Sequence, residues 1–223
     1  MTKINIGFLI YPNVVQLDVM AAYQVFSFPP NASIHLIWKT LEPVSSNEGL
    51  IITPTTTINS CPQLDVICVP GGGIGQVEVM QDREILNFLQ QKSKIAKYVT
   101  SVCTGSLILA KANLLQGYQA TCHWAFQEHL AALGVEVIPK RIVIDRNRVT
   151  GAGVTSGIDF GLTLVSLIWG EQMAKMTQLM LEYDPQPPFN AGTPKTAEAK
   201  LVKSMNKLGS PLIEAFWTGI SSN

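Results

Sequence analysis

At 223 residues, 47% of them hydrophobic, the chain is long enough for one sizeable core and too apolar to be disordered. Its 16 basic and 16 acidic side chains cancel, which leaves no clustered basic excess to hold a nucleic acid. No apolar run reaches membrane-spanning length and no signal peptide is visible, so the expected location is the cytoplasm.

Ile4 to Ile10 is a continuous apolar run, the pattern of a strand buried on both faces of a parallel sheet. Pro12-Asn13 ends it. Leu17, Val19, Met20, Val25 and Phe26 then predict a helix that stops at Pro29-Pro30. Asp18 is the one carboxylate in this segment and lies just beyond the carboxyl end of the first strand. Ligands of open α/β sheets gather at that edge. Asp18 also suits a plain supporting role in the first turn of its helix.

Ile34 to Trp38 predicts a second strand, with His35 an ordinary strand residue. Residues 40 to 64 form a meander, with short strands at Leu50-Ile52 and Thr55-Ile58 punctuated by proline and glycine. Leu64 to Val69 is the next buried strand, and it holds Cys68 in its core. It runs into Pro70-Gly71-Gly72-Gly73-Ile74-Gly75. This turn lacks the Lys-Ser/Thr of a phosphate-binding loop and lies too far along the chain for a dinucleotide fingerprint. It fits either an oxyanion hole, with Gly72 and Gly73 as donors, or a flexible loop. Gln81 to Lys94 predicts an amphipathic helix on Ile85, Leu86, Phe88 and Leu89.

Tyr98-Val99-Thr100-Ser101-Val102-Cys103-Thr104-Gly105-Ser106-Leu107 reads as a strand that turns sharply at a cysteine and enters a helix. A nucleophile elbow needs this arrangement. The start of the helix would favour a thiolate at Cys103. The alternative is a small buried cysteine of purely structural use. Beyond it come a short strand at 118–121, a helix from Ala125 to Leu133, and strands at 135–138 and 141–145. One long helix is predicted from Ser156 to Tyr183, with Ile158, Leu162, Val165, Leu167 and Ile168 facing inward. Asp184 to Gly192 is too rich in proline for a helix. A short helix is expected over 197–208. Residues 1–195 form the expected α/β domain, and 196–223 a C-terminal extension packed on it.

Four cysteines and three histidines fall in no zinc-ligand spacing, so no metal or other cofactor is expected. Reduced thiols suit a cytosolic protein. His123 and Trp124 are candidates for a pocket wall, although His123 equally suits a structural role. Asp159 is placed to favour the positive end of its helix.

Strands alternating with helices predict a doubly wound, three-layer α/β sandwich of flavodoxin-like type, with a mostly parallel sheet. Asp18, the glycine turn, and Cys103 with Thr104 converge at its carboxyl edge. On these features the chain resembles the ThiJ/PfpI superfamily, and within it the branch that hydrates isocyanides. The stretches that carry the resemblance are Gly7 to Pro12 with Gln16-Leu17-Asp18, Leu64 to Gly72, Tyr98 to Ser106, Thr121 to Ala125, Gly157 to Phe160, and Leu181 to Gly192. Thr104 stands where peptidase-like members place a histidine, which argues against a Cys-His hydrolase. Met20-Ala21-Ala22 stand where relatives often have Gly-Pro.

The resemblance implies that Cys103 attacks the isocyanide carbon to give a thioimidate. Asp18 would give a proton to the nitrogen and then draw one from water, with the Thr104 amide and the glycine turn stabilising charge. It also implies a homodimer and no cofactor. Two other functions remain open: a glyoxalase-like reaction on α-oxoaldehydes, and a redox- or ligand-sensing domain.

Overall fold

The computed structural model describes residues 2–221; positions 1, 222 and 223, the outer ends of the two expected segments, lie outside the described residues. The first half runs β1 (Ile4–Leu9), α1 (Gln16–Phe26), β2 (Ala32–Trp38), β3 (Val44–Ser45), β4 (Ile51–Ile52), β5 (Thr56–Thr57), β6 (Val66–Val69), α2 (Gly75–Val79), α3 (Arg83–Ser93), β7 (Tyr98–Val102) and α4 (Gly105–Lys111). It continues through β8 (Gln119–Ala120), a 3-10 turn at Trp124–Phe126, α5 (Gln127–Ala132), β9 (Glu136–Val137), β10 (Ile142–Asp145), β11 (Arg148–Gly151), α6 (Ser156–Trp169), α7 (Glu171–Met180) and α8 (Ala199–Ser221).

Seven strands form the central sheet in the order β10-β11-β7-β6-β1-β2-β5. Every pair is parallel except the β10–β11 hairpin. The uniform apolar runs of β1 and β6 occupy the centre because both of their faces are covered. Helices α1, α6 and α7 pack together on one face; α2, α3, α4, α5 and α8 form the other layer. The three-layer flavodoxin-like arrangement is thus present. In register, Phe8 pairs with Cys68, Val69 with Ser101, and Val102 with Gly151. The carboxyl ends of β1, β6, β7 and β11 therefore finish side by side. Asp82 starts α3 by accepting from the amides of Glu84 (3.0 Å) and Ile85 (3.3 Å). Among the described residues, no helix is long and apolar enough to cross a membrane.

Three expectations are corrected. The helix predicted from Ser156 to Tyr183 is two helices, because Gly170 adopts φ +90° and breaks the turn between α6 and α7. Leu167 is exposed rather than inward. Arg148–Gly151 adds a further strand, β11, whose Arg148 is buried and donates from Nε to the Leu114 carbonyl (2.7 Å).

The third correction is the C-terminal helix, which is not short: α8 runs 23 residues through Pro211. Proline removes the amide that would donate to the Lys207 carbonyl, and the Ser210 hydroxyl donates to that carbonyl instead (3.0 Å). Phe216 anchors α8 by packing on Phe126 at 4.9 Å between ring centres, while Trp217 stacks on His129 at 4.0 Å. Phe216 is fully buried. Phe216→Ala is therefore expected to cost about 3–5 kcal/mol, read as a fall in the urea unfolding midpoint.

Candidate active site

Strand β7 delivers Cys103 to the sheet edge, and α4 begins two residues later. Cys103 adopts φ +60°, a left-handed conformation that a non-glycine residue holds only when its surroundings impose it. Its amide donates to the carbonyls of Ala152 (2.8 Å) and Gly151 (3.1 Å), so β11 fixes the turn from below. Gly105 follows with no room for a side chain, because a Cβ there would overlap the Val69 carbonyl oxygen. Ser106 and Ser101 share a hydrogen bond of 2.8 Å, and Ser106 donates to the Thr121 carbonyl (2.6 Å). The elbow is thus tied both to the sheet and to the segment that carries Cys122.

Helix α1 presents Asp18 to the same edge. Asp18 is almost wholly buried, and its Oδ2 accepts from the Gly71 amide (2.9 Å). Its Oδ1 has no hydrogen-bond partner. Burial is the main cause that lifts the Asp18 carboxyl from 3.8 to about 7, with the Gly71 amide and the Cys103 thiol opposing the lift. Burial likewise pushes the Cys103 thiol well above its ordinary range. Nearby Asp18 pushes it further, the Thr104 amide pulls it partly back, and Cys122 adds a smaller upward push. Desolvation and Asp18 thus oppose the thiolate expected from the helix start, and the Thr104 amide favours it.

The glycine turn does something other than expected. Gly71 supplies the amide that holds Asp18. A Cβ on Gly71 would stand 2.5 Å from Thr104 Oγ1 and 2.8 Å from Asp18 Oδ2, so only glycine fits between them. Gly72 and Gly73 do not present free donors. The Gly72 amide donates to Gln76 Oε1 (2.8 Å) and Thr104 Oγ1 (3.3 Å), and the Gly73 amide donates to the Asn13 carbonyl (2.8 Å). Their assignment as oxyanion donors is withdrawn on that geometry. The fold thus brings together Asp18, Thr104 and Cys103 and leaves Gly73 outside the group.

Gln76 was not anticipated. It is fully buried at the start of α2. Its Oε1 accepts from Thr104 Oγ1 (2.6 Å), and its Nε2 donates to the Thr104 carbonyl (2.7 Å). The buried Tyr11 hydroxyl joins at 3.4 Å and donates to the Pro70 carbonyl (2.9 Å). Thr104 is gripped at its hydroxyl and its carbonyl, so its hydroxyl proton is committed and its amide faces the sulfur. The available signal was a glutamine four residues after Gly72, on a turn read only for its glycines.

Beside the elbow lies a cleft of about 620 Å³, in the usual range for a small-molecule site. Cys122, His123 and Trp124, Ala152 to Thr155, and residues 192–195 are among the segments that line it. His123 does line this cleft. Its Nδ1 accepts from the Ala125 amide (3.3 Å), which leaves the ring hydrogen on Nε2, and burial lowers its proton affinity. Asp159 opens α6 and is bound by Arg141 (2.5 and 2.8 Å) and by the Tyr183 hydroxyl (2.9 Å).

A profile of the DJ-1/PfpI family matches residues 5–167. The chain is 48% identical to an isonitrile hydratase of Pseudomonas putida, over 95% of this chain and 92% of that protein. It is 31% identical to the transcriptional regulator GbdR of Pseudomonas aeruginosa, over 81% of this chain and 51% of the regulator. The crystal structure of a ThiJ/PfpI family protein from Pseudomonas syringae superposes with a TM-score of 0.96 at 42% identity, covering all of this chain and 92% of that one. Drosophila melanogaster DJ-1beta shares the fold at a TM-score of 0.76 and 18% identity. The profile match spans Asp18, Gly71, Cys103 and Thr104 alike, and the chain belongs to the DJ-1/PfpI family.

Proposed function

We propose that this chain hydrates isocyanides (isonitriles) to N-substituted formamides. One observation carries the proposal: a buried carboxyl titrating near 7 stands against the elbow thiol, in a chain 48% identical to an isonitrile hydratase. The terminal carbon of an isocyanide accepts both a nucleophile and a proton. Cys103 sulfur bonds to that carbon, and Asp18 relays the thiol proton to the same carbon. The product is a neutral thioimidate, R–N=CH–S.

This proton count revises the expected order. The first hydrogen goes to carbon, and nitrogen is protonated only in the second half. There Asp18 takes a proton from water as the oxygen attacks, and passes it to nitrogen. The tetrahedral species then breaks its C–S bond, its hydroxyl proton returns to sulfur, and the formamide leaves. One carboxylate serves as base and acid in turn, which requires a proton affinity near the working pH.

The competent state is the Asp18–Cys103 pair holding a single proton. Below about pH 7 the pair holds two. Activity is therefore expected to rise with pH, with kcat/KM climbing about tenfold per unit below pH 7 and flattening above it. A kcat/KM profile that stays level from about pH 5 to about 9 contradicts this assignment.

The same reading includes a homodimer. Leu179, Met180 and Phe189 are strongly exposed, and a partner would cover apolar side chains of this kind. It also includes a cytoplasmic setting, with which four free thiols agree.

A further inference from the structure

We infer that the cleft beside Cys103 selects isocyanides whose apolar body carries an anionic group, such as a carboxylate, at the end away from the isonitrile. The inference rests on the hydratase reading and narrows its substrate class. The chain as a whole is electrically balanced, with 16 basic and 16 acidic side chains. The cleft is not. Lys140, Arg141 and Lys195 line it, and no Asp or Glu does among the described residues.

Arg141 is neutralised, since Asp159 binds it from behind. The two lysines are different: among the described residues, neither has a carboxylate within 4.0 Å. They come from separate parts of the chain, Lys140 just before β10 and Lys195 from the segment between α7 and α8, yet both line this one cavity. Unpaired cations lining one concave site concentrate potential on whatever enters.

The rest of the lining complements those cations. Trp124, Pro139, Val154 and Pro194 supply apolar surface, enough to hold an aromatic or aliphatic body. Cys103 does not itself line the cleft, and the link to it runs through Ala152. Cys122 and Ala152 line the cleft, and the Ala152 carbonyl accepts from the Cys103 amide at 2.8 Å. Cys103 itself is only 5% exposed, so a narrow group alone reaches it. The linear isonitrile is such a group. A substrate with its isonitrile at the sulfur and its body against Trp124 places its far end among the lysines.

The test compares three aryl isocyanides with the full-length wild-type protein at low salt: a para-carboxylate, its methyl ester, and a para-trimethylammonium analogue. The ester keeps the carbonyl, adds one methyl group and lacks the charge. The expected result is kcat/KM for the carboxylate about tenfold above the ester, and the ammonium compound below both. Raising the ionic strength to about 0.5 M is expected to cut the carboxylate preference to less than about threefold. In the double variant Lys140→Gln/Lys195→Gln, the carboxylate-to-ester ratio is expected to approach one. Turnover of all three compounds at equal kcat/KM overturns this inference and leaves the hydratase reading standing. A preference that survives the double variant also overturns it. Turnover of none by the folded protein overturns the hydratase reading itself.

Discussion

Asp18→Asn is expected to lower kcat/KM by about 10³-fold while the protein stays folded. The carboxyl is placed to move the protons that reach carbon and nitrogen in the proposed cycle, and losing a positioned acid–base group typically costs 10²–10⁴-fold. Asparagine keeps an oxygen for the Gly71 amide, so the backbone around the site has no reason to shift. The same substitution is expected to raise stability in alkaline solution. A carboxyl whose folded-state value is raised favours the fold fully below its unfolded value of 3.8, and that contribution is lost as pH climbs through about 7. The gap corresponds to about 4 kcal/mol. Melting curves at about pH 5 and about pH 8 should therefore show the variant gaining on the wild type at the higher pH. A variant that turns over isocyanide within tenfold of wild type removes Asp18 from the mechanism.

Gly105→Ala is expected to destabilise the fold by at least about 3 kcal/mol or to prevent folding altogether. The added Cβ would overlap the Val69 carbonyl oxygen and stand 2.8 Å from the Pro70 oxygen, both of them backbone atoms at the end of a central strand. Neither moves without dragging β6. The conflict lies under the elbow, so the substitution unseats Cys103 as well. Gly192→Ala is the control, because a Cβ there meets nothing within 4 Å. Urea titrations of the two variants check the contrast, and equal midpoints would show that the strand and α4 are not in close contact at Gly105.

The sheet was legible because its strands are buried on both faces. The runs at Ile4, Val66 and Tyr98 have few polar residues to confuse their period. The elbow was legible because a strand, a cysteine and a glycine followed by an apolar helix constrain one another locally. Two helix boundaries were not. Gly170 lies within a helix-like apolar pattern and breaks it only through its positive φ. Pro211 reads as a stop, yet the Ser210 hydroxyl fills the vacancy it creates.

The site was half legible for the same reason. Asp18 and Cys103 are recognised by residue type and by strand edge. Gln76 gains its meaning from Thr104, 28 residues away, and no local pattern announces that contact. The opposing push on the thiol was not legible, because the helix start is visible in sequence, whereas complete burial beside a carboxyl is a property of the assembled core. Gly72 and Gly73 were misassigned because a glycine turn shows that amides are available to something, without showing that Gln76 and Asn13 already take them.

The most direct test is a proton NMR time course of the purified protein with a simple aryl isocyanide, following the formyl proton, beside a Cys103→Ala variant shown by circular dichroism to be folded. The account predicts formamide from the wild type and none above background from the variant. Formamide produced by the folded variant at the wild-type rate, or none from the folded wild type, contradicts it.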